Sequence, residues 1–156
     1  MTLERTLLQK LAEWRPDKSP SPLTVAGPDG WTVGLTIDRN EEIAARVQEV
    51  TLRRAEPVQD VRGWADRLCA RATGLLEPLT LIEVDAAKGT AQLRSQGPTQ
   101  RDEAVFYYEV LLSAKGEADV RRYQAKAGGG KKREQVGFAL THEVLARFVG
   151  DLIASV

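Results

Sequence analysis

The basic residues of the chain are densest over positions 121–133. Arg121, Arg122, Lys126, Lys131, Lys132 and Arg133 place six cations within thirteen residues, around Gly128-Gly129-Gly130. On a hairpin these charges would gather at one tip, where glycine N–H groups and lysines can approach phosphates. The same composition also suits a solvated turn kept polar against unwanted strand pairing. The segment is not a P-loop. That motif needs Gly at position 125, Ser or Thr at position 132 and a helix after it, whereas the chain has Ala125 and Lys132 between strand-like stretches. Tyr123 alone is interleaved with the cations, which is thin for stacking on bases.

Other chemistry-bearing residues are sparse. Glu83 and Asp85 lie two apart and share a strand face; with Asp102, Glu103 or Glu109 they could form an acid–base pair or hold a divalent metal. Such spacings are also ordinary on a solvated sheet. His142, the one histidine, falls in the first turn of an expected helix, where the dipole disfavours an imidazolium, so a structural or surface role is expected. Cys69 reads as a small buried hydrophobe. One His and one Cys fall short of the four ligands a structural zinc site takes. The expectation is a non-enzymatic protein without a cofactor.

The elements that would position these residues follow from periodicity. Leu3, Leu7, Leu8, Leu11 and Trp14 mark one helix face, capped by Thr2 and stopped by Pro16. Leu23 and Val25 precede the turn Pro28-Asp29-Gly30, after which Trp31, Val33, Leu35 and Ile37 alternate with Thr32, Gly34 and Thr36 as a strand. Residues 40–55 fit a helix opening at Asn40 with Glu41 and Glu42. They also fit a strand folding back on the last, and β-leaning Val50-Thr51-Leu52 favours that reading. Residues 58–75 carry a helical stripe through Val58, Val61, Trp64, Leu68 and Ala72, ended by Gly74 and Pro78. Strands are then expected at 79–85, 90–95, 104–113, 118–126 and 133–140, separated by glycine-bearing breaks. Residues 127–133 are expected as a flexible Gly/Lys-rich hairpin loop. The last helix starts at Thr141 and buries Leu145, Phe148, Val149, Leu152, Ile153 and Val156.

Within this frame the segment 104–113 stands out. Phe106, Tyr108, Val110 and Leu112 point one way, and Val105, Tyr107, Glu109 and Leu111 the other. Both faces are substantially apolar, so both need cover from helices or from a partner. Glu109 in that company calls for a cationic neighbour, with Arg94, Arg121 and Arg122 available across the strands. Trp31 and Trp64 sit at core-like positions; Trp14 closes the first helix at a boundary.

The chain has 156 residues, 42% hydrophobic and 28% charged, with 22 basic and 22 acidic side chains. That is one ordinary soluble domain over residues 1–156, able to bury a core without metal or disulfide staples. Zero net charge argues against a surface built wholesale for nucleic acid. Charges at Glu4, Arg5 and Lys10 interrupt any signal-peptide apolar region, and no apolar stretch reaches the roughly 18 residues of a membrane span. A cytoplasmic setting is expected.

The order α-βββ-α-βββββ-α implies a single α+β domain, with a predominantly antiparallel, curved sheet packed against helices. In element order alone this resembles the bacterial secretion-chaperone-like fold, whose members are small dimers that bind partner proteins. The resemblance rests on no motif residue and transfers no site. The functional expectation is a homodimeric protein-interaction module. Its anchors would be Phe106, Tyr108 and Val110 on the sheet, or Leu145 and Phe148 on the last helix. The alternatives are a carrier of a small apolar ligand between sheet and last helix, and phosphate or nucleic-acid binding through the basic hairpin 121–133.

Overall fold

The structure, a computed structural model, describes residues 1–75, 77–95, 99–126 and 132–156. Among these, three helices pack on a ten-stranded antiparallel sheet that does not close. This is the expected α+β domain.

Helix α1 (Leu3–Glu13) is capped by Thr2, whose side chain accepts from the Arg5 N–H, and it buries Leu3, Leu7 and Leu11. Strands β1 (Ser21–Ala26) and β2 (Thr32–Asn40) form the first hairpin, with Val25 opposite Val33 and Leu23 opposite Leu35. Residues 44–53 are a strand, β3 (Ala44–Arg53), so the tertiary ladder overrides the helix-start signal at Asn40-Glu41-Glu42. Helix α2 (Val61–Arg71) is shorter than its apolar stripe. Asp60 caps it by accepting from the Gly63 N–H, while Val58 is buried outside the helix with its N–H on the Ala114 carbonyl, 2.8 Å away. Apolar periodicity ran on past the cap because the preceding loop packs on the same core.

Strands β4 (Leu79–Asp85) and β5 (Thr90–Ser95) form a second hairpin. Then β6 (Thr99–Arg101), a short strand the periodicity does not reveal, continues along the edge of β7 (Ala104–Ser113) that β5 began. The other edge of β7 pairs along its whole length with β8 (Glu117–Lys126). Gly116 turns that hairpin at φ +88°, with a Cβ position only 2.7 Å from the Glu56 carbonyl, so no larger residue fits there. The single strand expected over 133–140 is divided at Gly137 into β9 (Arg133–Val136) and β10 (Phe138–Thr141). Helix α3 (His142–Ala154) follows, capped by the Thr141 hydroxyl accepting from the Val144 N–H.

The division at Gly137 has a topological cause. The main path of the sheet is β1-β2-β3-β8-β7-β5-β4. Strands β3 and β8 pair only where Val50–Arg53 meet Glu117–Val120. Beyond that they diverge, and the final strand segments fill the fork: β9 pairs β8 through Arg122–Ala125, and β10 pairs β3 through Ala44–Val47. Register shifts between β2 and β3 and between β4 and β5 add local bends.

The core lies between the sheet and the helices. Val110, Leu112 and Val120 of the sheet and Leu145, Val149 and Leu152 of α3, all fully buried, belong to one core cluster. Trp31 and Trp64 are core residues with ring centroids 6.1 Å apart, and the Trp64 indole N–H donates to the Leu152 carbonyl at 2.9 Å. No helix is long and apolar enough to cross a membrane.

Candidate functional site

A pocket opens at the fork. Its cavity volume is about 460 Å³. The fork strands supply Val136, Phe138 and Ala139, with Gly137 between them; β7 supplies Phe106 and Tyr108; and β8 supplies Arg122 and Gln124. Arg46 of β3 and Arg101 of β6 complete it, and no helix residue takes part. Among the described residues the lining thus combines aromatic walls with three guanidinium groups and no carboxylate. Tyr108 and Phe138 meet edge to face at 5.3 Å, which makes one wall continuous with the core.

Arg122 is the anchored cation of this pocket. Its guanidinium carbon lies 4.3 Å from the Tyr108 ring centroid and 5.9 Å from that of Phe106. Its Nη2 donates to Glu77 Oε2 at 3.1 Å, with both side chains largely buried. Glu77 is fixed in turn: Ser95 Oγ donates to its Oε1 at 2.8 Å, and the Tyr108 N–H donates to Ser95 Oγ at 2.8 Å. Arg122 Nη1 is buried, and among the described residues it has no hydrogen-bond partner. Burial pushes the Tyr108 phenol above its ordinary range, against the opposing charge of Arg122, so this wall stays neutral.

The opposite face of the same strands carries a second polar cluster, around Glu109. This carboxylate is 3% exposed; Arg133 Nη1 donates to its Oε1 at 2.9 Å, Gln92 Nε2 at 2.6 Å, and Arg94 Nη2 lies 3.5 Å away. The arginines also cover aromatics, Arg94 at 4.6 Å from the Tyr107 centroid and Arg133 at 3.7 Å from that of Tyr123. Burial pushes the Glu109 acid up, but hydrogen bonding and charge from Arg133, with Gln92 and Arg94, outweigh it and hold the acid below its ordinary value. Arg121, directly opposite Glu109 in the ladder, turns instead to Glu49, 2.6 Å away, and Asp119, 3.1 Å away.

These contacts take the expected basic cluster apart. Arg121 and Arg133 lie on the outer face in ion pairs, and Arg122 lies on the pocket side paired with Glu77. Lys126 ends β8 and Arg133 opens β9, and residues 127–131 of the expected loop 127–133, Lys131 among them, lie outside the described residues. Alternation along β8 separates adjacent arginines to opposite faces, so sequence proximity overstated their joint potential.

The expected partner-binding anchors are placed as follows. Val110, Leu145 and Phe148 are core residues, and Tyr108 is buried as a pocket wall. Phe106 is half-buried and lines the pocket. A side chain packed in the core offers no surface to a partner, so of the five, only Phe106 and Tyr108 stand at an accessible site. The space assigned to an apolar ligand between sheet and α3 is filled by Leu145, Phe148, Val149 and Leu152. Arg46, Arg101, Glu77 and Ser95 were not foreseen. The polar Ser95, two residues after Leu93 on a core-facing strand position, was the available sign that the core ends there.

The remaining candidates have structural settings. His142 is buried with Nε2 2.7 Å from Asn40 Oδ1, and burial, with Arg15 nearby, lowers its pKa. Cys69 packs partly against the core, and its thiol pKa is raised by burial and by Asp66. Asp85 accepts from the Lys88 N–H in the β4–β5 turn. Among the described residues no three metal-ligating side chains cluster.

No family model, no curated protein and no solved structure matches this chain.

Proposed function

We propose that the chain is a non-enzymatic protein-interaction module that receives a short segment of its partner in the pocket at the sheet fork, and that it acts as a homodimer. The observation that carries this reading is the anchored Arg122 between Tyr108 and Phe106, with Nη2 on Glu77 and Nη1 buried without a hydrogen-bond partner among the described residues. An arginine keeps its proton at neutral pH, so a pocket lined by three of them supports binding rather than proton transfer. Aromatic walls with a cationic rim are the composition of interface hot spots. Among the described residues the β10 edge opposite β3 has no ladder partner, which leaves backbone groups for an extended segment. For self-association the support is apolar exposure at one side of the outer face. Ile82 and Leu111 are both exposed, and Leu111 lies opposite Gln92, itself opposite Glu83 beside Ile82.

Selection of phage-displayed random peptides on the purified chain tests the pocket. Enrichment of a consensus that Phe106→Asp abolishes, with the circular dichroism spectrum and Tm retained, is the expected result. No enrichment, or a consensus that binds Phe106→Asp equally well, would overturn the reading.

A further inference from the structure

Resting on that reading, we infer that the fork pocket is an oxyanion receptor, and that the partner segment presents a carboxylate beside an aromatic or aliphatic side chain. Three features carry this. First, among the described residues the lining holds Arg46, Arg101 and Arg122 and no acid; Glu77 engages Arg122 at Nη2, and Nη1 has no hydrogen-bond partner. A donor sealed from solvent without an acceptor is costly, and a ligand oxygen that reached it would recover that cost. Second, the guanidinium is preorganised. The relay from the Tyr108 N–H through Ser95 to Glu77, together with stacking on Tyr108, fixes its plane before any ligand arrives. Little entropy is then lost on binding. Third, Phe106, Tyr108 and Phe138 give the cavity an apolar wall beside the cations, and its volume of about 460 Å³ suits one carboxylate with one large side chain. A bare inorganic anion would leave that wall uncovered. Arg46 and Arg101 are exposed, so they would draw the anion in and Arg122 would hold it.

The test is titration by calorimetry and by the ¹⁵Nε–¹H signals of the arginine side chains. The probes are N-acetyl-leucyl-phenylalanine with a free carboxylate, the same peptide as its C-terminal amide, and inorganic phosphate. The free acid is expected to bind at least tenfold more tightly than the amide and to shift the Arg122 signal. Arg122→Lys keeps a cation for Glu77 but loses the second nitrogen, and is expected to remove most of that preference. Should Arg122→Lys unfold, the double variant Arg46→Gln/Arg101→Gln, altering exposed residues only, is expected to weaken the free acid at least threefold. Binding of phosphate as strong as that of the peptide acid, with the same Arg122 shift, would establish an oxyanion receptor but overturn the peptide occupant. Equal binding of acid and amide would overturn the oxyanion inference and leave the interaction reading standing. Absence of any Arg122 shift with all three probes would overturn the inference as well.

Discussion

Glu109 shows how one buried charge can organise a strand face. Three donors surround an acid that is almost inaccessible, and two of them also cover tyrosines. Its lowered pKa makes its stabilisation complete above the ordinary value of 4.5 and lost as pH falls through the lower folded value. Glu109→Gln should therefore cost about 2 kcal/mol at pH 7 in urea unfolding, with the difference shrinking towards pH 3; a pH-independent difference would point to shape rather than charge. Asp119 has the opposite sign. Burial and the neighbouring Glu49 push its acid up to about 6, against Arg121, and its Oδ1 is buried without a partner among the described residues. Its contribution is whole below the ordinary 3.8 and fades as pH rises through about 6. Asp119→Asn should thus gain on the wild type by about 1 kcal/mol between pH 4 and pH 7, after allowance for solvent screening. A wild type that holds its full stability relative to Asp119→Asn across that interval would refute the assignment.

At the scale of elements, one side chain joins three of them. Asn40 closes β2, and its Nδ2 donates to the Leu11 carbonyl at 2.9 Å and the Trp14 carbonyl at 2.6 Å, covering the end of α1. These two carbonyls orient the amide so that Oδ1 faces His142 Nε2 at the start of α3, which must then carry the proton. Asn40→Ala would leave the Leu11 and Trp14 carbonyls to Arg15 Nη1, which already donates to both, and would strand the buried His142 imidazole, for a loss of about 1–2 kcal/mol in chemical unfolding. Asn40→Asp keeps the acceptor for His142 and loses the donors, so it should recover only part of that loss. A Tm for Asn40→Ala within a degree of the wild type would mean that water replaces the side chain at no cost. The fork is the other feature of this scale. Gly137 lies where the chain leaves β8 for β3, with a Cβ position 3.3 Å from the Val47 carbonyl and 3.2 Å from Asp38 Oδ2. The close approach leaves little room for a side chain at the point where the chain changes partner.

For the whole molecule the open question of consequence is self-association. The free edge of β1 contains Pro22, which lacks a donor for a further strand. The opposite margin, β4, exposes Ile82 at its bulge, with Leu111 on the outer face nearby. Light scattering on a sizing column should give twice the 17.2 kDa chain mass at both low and high salt, and Ile82→Lys with Leu111→Lys should return the protein to one chain mass. A single-chain mass for the wild type at both salts would end the homodimer reading without touching the pocket. Both features draw on β7, but neither Ile82 nor Leu111 lines the fork pocket, so the two proposals fail or survive separately.

What the sequence determined by itself was local. Alternation placed Trp31, Val33, Leu35 and Ile37 on one face of their strand and Val110 and Leu112 on one face of theirs, because side-chain direction in a strand has a period of two whatever the fold. Thr2 and Thr141 marked helix starts because a cap needs only its own next turn. Glu109's need for a cation was also legible, and Arg94 was among the choices; Arg133 was not, since only the pairing of β9 with β8 brings it there. The pocket was decided by tertiary structure alone. Arg46, Glu77, Ser95, Arg101 and Arg122 come from segments far apart in sequence, and no periodicity links them. They meet because β3 and β8 diverge after four paired residues each and the last strand must serve both, which is a property of the whole sheet rather than of any one strand.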